Sequence, residues 1–204
     1  MAKIKLTKNE QKKQKDALKM YRRYLPTLQL KKQQLQSEIR GIEARAKAIA
    51  AQREELMAQF RAWIAVFGEE SAIKTETGEW LLSVREIRTS IGNIAGVEIP
   101  IYSGADFVLA DYDLYERPLW IDKALEKLKA MLELDLEIKV LEEQIVRLGH
   151  ELRVTTQRVN LFEKVKIPQA VESIKRIAIY LGDQQTAQVV RGKISKRKLV
   201  RVGS

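Results

Sequence analysis

The chain has 204 residues with 37 Lys/Arg, 27 Asp/Glu, one His and no Cys, giving a formal net charge of +10. No Cys means no disulfide framework, no Cys-ligated zinc and no thiol nucleophile, and His150 alone cannot make a His-rich metal site. With 45% hydrophobic residues, 10 Gly, 4 Pro, no apolar run near the ~18 residues of a membrane span and no signal-peptide core after Met1, the expectation is a soluble, cytoplasmic, mostly helical protein.

The charge is unevenly placed. Residues 1–40 hold 12 Lys/Arg against 3 acids and residues 191–204 hold 6 against none, so the stretch between them is net acidic. Blocks of one sign at the ends of a chain point to contact with an acidic partner or to solvated arms.

The first segment, residues 1–68, carries a heptad. Alternate steps of three and four from Leu18 pass through Tyr21, Leu25, Leu28, Lys32, Leu35, Ile39, Ile42, Ala46, Ile49, Arg53, Leu56, Phe60 and Trp63 to Phe67. Such a narrow apolar line is the seam of a coiled coil. Lys32 and Arg53 are its only charged members. Their stems cover the seam while the charges reach solvent, or they meet an acid on the facing helix and fix its register. Pro26 predicts a kink or restart, and Gly68 a C-terminal cap.

Residues 69–117 form a central insert of different character. Leu81–Ile91 and Val97–Tyr102 are rich in Ile, Val and Thr, and Val97, Ile99 and Ile101 alternate with Glu98, Pro100 and Tyr102. Period two predicts a small β-hairpin over 80–102, with turn candidates at Gly92-Asn93 and Ala95-Gly96 and with Pro100 on an edge strand. Two strands are not stable alone, so the hairpin must lean on the helices or on a partner.

A second long helix is predicted over 118–192. Its seam runs Ile121, Leu125, Leu128, Leu132, slips by about one residue, and resumes as Leu134, Ile138, Leu141, Ile145, Leu148, Leu152, Thr155, Val159 and Phe162. Pro168 predicts a local distortion, beyond which Ile167, Val171, Ile174, Ile177 and Leu181 continue the face. Gly182 or Gly192 is expected to end the helix, leaving 193–204 as a basic tail. The fold class is therefore mainly α: a long antiparallel two-helix coiled coil with a small central β-hairpin insert at the end opposite the termini. At 1.5 Å per residue the helices would run roughly 80 to 100 Å, a rod with both basic blocks at one tip.

Chemistry is sparse. There is no phosphate-binding G-x-x-x-x-G-K-[ST] loop, and Gly92–Gly96 neither precedes a Lys-Ser/Thr pair nor opens a helix. His150 lies off the seam and reads as a surface residue. Glu142 and Glu143 read as a solvated helix face. No catalytic, cofactor-binding or metal-binding residues are expected. The chain is read as a non-catalytic binding or structural protein, a basic nucleic-acid-binding or scaffold coiled coil being the alternative.

The run Thr155-Thr156-Gln157-Arg158-Val159-Asn160-Leu161-Phe162-Glu163-Lys164-Val165-Lys166-Ile167-Pro168 closely resembles the signature of the D subunit of the V-type and A-type rotary ATPases in its bacterial form. Leu28–Leu35, Asn93–Pro100, Tyr112–Asp122 and the basic stretch Lys193–Leu199 are similar to further family segments in the same order. The resemblance implies a central rotor shaft. It would sit in the bore of a hexamer of A and B subunits, bind the F subunit, and rest on the central-stalk C/d subunit above the membrane ring. ATP hydrolysis or synthesis would thereby couple to H+ or Na+ movement. It implies no cofactor, no nucleic acid, no direct membrane insertion, and a cytoplasmic position peripheral to the membrane. Within that reading, Lys5, Lys8, Lys12, Lys13, Lys193, Lys196, Arg197 and Lys198 are candidates for seating in the hexamer. Ile87, Ile91, Val97, Ile99 and Ile101 are candidates for an insert contact, the insert serving binding of the F subunit or tuning of the ATPase rate.

Overall fold

A computed structural model of the chain describes residues 5–64, 74, 79–113, 115, 118 and 120–202. In chain order the elements are helix α1 (Lys8–Ile64), strands β1 (Leu82–Ile94) and β2 (Val97–Leu109), helix α2 (Ile121–Leu161), a π turn (Phe162–Lys166) and helix α3 (Ile167–Val202). The chain is mainly helical, with a two-stranded antiparallel hairpin in the middle. Residues 33–153 make one compact unit; residues 1–32 with 154–204 make another.

Thr7 starts α1. Its hydroxyl accepts the N–H of Glu10 at 3.3 Å, capping one first-turn donor, and its carbonyl accepts the N–H of Gln11 at 3.0 Å as the first regular helical bond. The heptad then holds: every seam position from Leu18 to Phe60 is buried or half-buried. The helix passes through Pro26 without a restart. Pro26 costs a backbone bond, about 3 kcal/mol in a helix interior. Both Pro26 and Arg22, whose carbonyl loses its donor, are exposed, so that carbonyl can bond to water while Leu25 and Leu28 stay on the seam. Gly68 and Phe67 lie outside the described residues.

In the unit spanning 33–153, Leu35, Ile42 and Ile49 of α1 meet Leu141 and Leu148 of α2 in one core, with Ile39, Ala46, Leu134, Ile138, Ile145 and Leu152 around it. Ion pairs Arg45–Glu137 (2.8 Å) and Arg53–Asp135 (2.5 Å) join the two helices. Arg53 therefore meets a facing acid, and its seam position is a register contact rather than a stem with a free charge.

The hairpin belongs to this core. Ile99, 3% exposed, is a core member, and Ile94, Ala95 and Val97 pack beside it. Gln144 of α2 donates from its side chain to the Pro100 carbonyl. This contact accounts for the burial of Gln144; Leu136 and Val140 of α2 are buried as well. At the base of the hairpin, Leu81, Ile121 and Leu125 form a smaller core with Trp120 and Tyr112.

The turn falls at Ala95-Gly96, both with positive φ (52° and 81°), closed by the Asn93 side chain accepting the Gly96 N–H at 2.9 Å. Two positive φ values make the mirror-image turn whose twist matches a hairpin. Gly92-Asn93 is instead strand: Gly92 pairs with Ile99, and a Cβ there would strike the Ile101 side chain at 2.5 Å. β2 continues to Leu109, beyond the predicted 102. Arg85 and Ser103 are unpaired bulge residues. Twist and bulging turn the ribbon, so Val97 and Ile99 face the helices while Ile101, of the same parity, is 43% exposed.

In the other unit, the Tyr21 and Phe162 rings meet at 5.2 Å, tilted by 36°, which brings α1 against the C-terminal segment. The predicted distortion at Pro168 is the π turn, closed by the Ile167 N–H bonding to the Phe162 carbonyl. Widening this turn moves carbonyls away from the proline ring. It also adds a residue, so the buried face beyond it is Ala170, Ser173 and Ile177; Val171, expected on the seam, is 43% exposed. α3 runs through Gly182 and Gly192 to Val202 rather than ending at either. Each Gly costs about 1 kcal/mol relative to Ala, which is too little to stop a helix of long straight-chain residues.

Candidate functional site

The eight cationic candidates all lie in the unit formed by 1–32 and 154–204, and all are exposed. That unit holds 22 of the 37 Lys/Arg and 5 of the 27 Asp/Glu, so it is +17 while the unit spanning 33–153 is −7. The +10 of the whole chain is thus what remains of two opposed fields. Lys8, Lys12 and Lys13 stand in the first turns of α1, where the helix dipole repels cations and Glu10 is the only compensating acid. They do not stabilise the helix that carries them. Lys193, Lys196, Arg197 and Lys198 stand near the end of α3, where the dipole favours them.

The two clusters are not side by side. With Tyr21 against Phe162, antiparallel counting sets Lys8 opposite about residue 175, so Lys193 lies about 27 Å farther along α3. Burial agrees: Ile177 is 0% exposed, but from Gly182 to Lys198 every residue is exposed except half-buried Ala187. The expected meeting of the basic blocks at one tip is therefore a stagger. Sequence reading stopped the apolar face at Leu181 and missed Val189, Val190 and Ile194, which are half-exposed among these cations. The i, i+4 spacing of Val190 and Ile194 was the available signal.

The insert candidates divide. Ile99 is buried and Val97 half-buried in the chain's own core, whereas Ile87 (41%), Ile91 (81%) and Ile101 (43%) are exposed. Val84 and Val108 add to that exposed apolar surface. At the hairpin base the Tyr112 hydroxyl donates to Asp122 at 2.6 Å, and this bond, with burial, raises the phenol's pKa. His150 is exposed. Among the described residues no group of three or more His, Asp or Glu is placed to hold a metal ion, and no helix is long and apolar enough to cross a membrane.

A paired-helix seam, a docked hairpin and a cationic helix end define a mainly helical, coiled-coil-like protein. Comparison with known proteins agrees. The sequence model of the family described as the D subunit of ATP synthase matches residues 10–197. The chain is 50% identical over 201 residues to the V-type ATP synthase D subunit of Borreliella burgdorferi, covering 98% of this chain and 97% of that one. It is 34% identical over 196 residues to the protein of the same name from Chlamydia trachomatis serovar L2, covering 96% of each. The Chlamydia pneumoniae protein is 35% identical over 198 residues, with 96% and 93% covered. The chain belongs to the family of V-type ATP synthase D subunits.

Proposed function

We propose that this chain is the central rotor shaft of a V/A-type ATPase, a non-catalytic component on the cytoplasmic side of the membrane. It carries torque between ATP chemistry in an A/B hexamer and H+ or Na+ translocation by the membrane ring. The observation that carries the reading is the bare end of α3: a helix continuing past its partner, cationic and partly apolar on its surface, in a unit of charge +17. Such a segment suits an acidic bore reached from several angles. The exposed Ile87, Ile91 and Ile101 surface suits the F subunit, and the C/d subunit of the stalk would seat the shaft on the ring.

The test is co-expression with the A, B, F and C/d subunits of the same organism, followed by size-exclusion chromatography and ATPase assay. Truncation after Gly192 removes Lys193, Lys196, Arg197, Lys198 and Arg201 and leaves the described cores intact. The shortened chain is expected to keep its helical signal and to assemble with the hexamer more weakly. The difference should grow as salt is lowered below physiological strength, where the Debye length is about 8 Å. Full-strength assembly of the truncated chain at every salt concentration would overturn the seating role.

A further inference from the structure

One level of the unit formed by residues 1–32 and 154–204 is short of backbone hydrogen bonds on both of its helices. On α1, Pro26 has no N–H, so the Arg22 carbonyl lacks its helical donor. On the facing segment the helix widens into the π turn Phe162–Lys166, and Pro168, two residues beyond, withholds a second N–H. The two defects stand together: Tyr21, next to Arg22, meets the ring of Phe162, the first residue of the turn, at 5.2 Å. A little farther along, the Ser173 hydroxyl donates to the Gln169 carbonyl at 2.6 Å, a back-bond that competes with the helix and favours bending. Packing adds little restraint. No residue of the π turn is buried, Pro26 and Pro168 are exposed, and Leu18, Tyr21, Leu25 and Leu28 of the α1 seam are only half-buried.

We propose that this level is a compliant joint, at which α1 and the facing helix bend together about the Tyr21–Phe162 contact. A regular helix resists a sharp bend because bending opens its i→i−4 bonds. A defect confined to one helix of a pair leaves the other intact as a splint. Here both helices lack bonds at the same height, so neither holds the other straight. The ring pair suits a pivot. Tilted aromatic rings keep favourable contact over a range of inclinations, whereas interlocked aliphatic side chains lose theirs when displaced. The unit spanning 33–153 is built differently. Its parts of α1 and α2 contain no proline, and their seam buries Leu35, Ile42, Ile49, Leu141 and Leu148. Compliance is thus confined to one short stretch of an otherwise regular helix pair. The joint is a property of the chain by itself and does not rest on the shaft reading.

The experiment uses the full chain. Spin labels at positions 157 and 176 span the joint, and labels at 123 and 142 span an equal stretch of α2. All four positions are exposed, and each pair should centre at about 29 Å. The distance distribution across the joint is expected to be about twice as broad as the one on α2. Pro26→Ala with Pro168→Ala returns both N–H groups at exposed positions, where neither change opens a cavity, and should narrow the distribution to the α2 width. Amide hydrogen exchange supplies a second reading. Residues 163–167 should exchange faster than 155–159 and 170–177 on either side, a pattern that fraying from the chain end does not produce. Exchange there should slow about fivefold in the double variant, as expected for regained backbone hydrogen bonds. Equal widths for the two label pairs in the unaltered chain, or exchange that only rises from 155 to 177, would overturn the joint. A distribution that stays broad in the folded double variant would do the same. The comparisons within the unaltered chain decide the matter even if the double variant folds poorly.

Discussion

Replacing Ile99 by alanine, and separately Ile91 by alanine, sets two positions of one hairpin against each other. The same three carbon groups are deleted in each. At Ile99, 3% exposed and packed in a core with Leu35, Ile42 and Leu141, they come from a closed site. At about 0.8 kcal/mol per buried methylene the transfer loss is about 2.4 kcal/mol, and the cavity left behind brings the total to about 3 kcal/mol. At Ile91, 81% exposed, the change should stay within about 0.5 kcal/mol. Fluorescence is well suited to the comparison, because the chain's three tryptophans, Trp63, Trp80 and Trp120, all fall in the unit spanning 33–153. With a urea slope of about 2 kcal/mol per molar, the midpoint should fall by roughly 1.5 M for Ile99→Ala and hardly move for Ile91→Ala. Equal midpoints for the two variants would refute the placement of the hairpin in the core.

Spin labels at positions 12 and 171 should lie across one helix pair, about 10 Å apart, whereas labels at 12 and 190 should read about 30 Å; a short 12–190 distance would remove the stagger. The Tyr112 phenol, raised by its bond to Asp122, should titrate closer to the ordinary value of about 10 in Asp122→Asn, read by ultraviolet absorbance. Because the folded pKa lies above the unfolded one, the stability from this bond is present below about pH 10 and is lost as pH rises through the folded value. An unchanged phenol titration in the variant would count against the bond.

Local pattern and long-range packing account for different parts of this fold. The α1 seam was legible residue by residue from Leu18 to Phe60 because a helix buried on one face repeats every seven residues whatever its partner. The burial of Gln144 was not, since it is covered by Pro100 of a hairpin far away in sequence. Pro168 announced a distortion, but nothing local says whether a proline produces a kink or an inserted residue, so Val171 and Ala170 exchanged roles. For the candidate surfaces, charge counting located the two basic blocks along the chain. It could not find the stagger, which depends on the register of Tyr21 against Phe162. Alternation placed Val97, Ile99 and Ile101 on one face, and only the twist of the ribbon separates them.

The π turn has a consequence for how this helix can change. A residue gained or lost between Phe162 and Lys166 would leave the chain helical while rotating everything beyond it by about 100°. Val190, Ile194 and the four cations from Lys193 to Lys198 would swing together to another side of the axis. Substitutions alter that helix end one side chain at a time; a single insertion or deletion re-aims all of it at once. The turn is thus a coarse angular setting, and the side chains downstream supply the fine one.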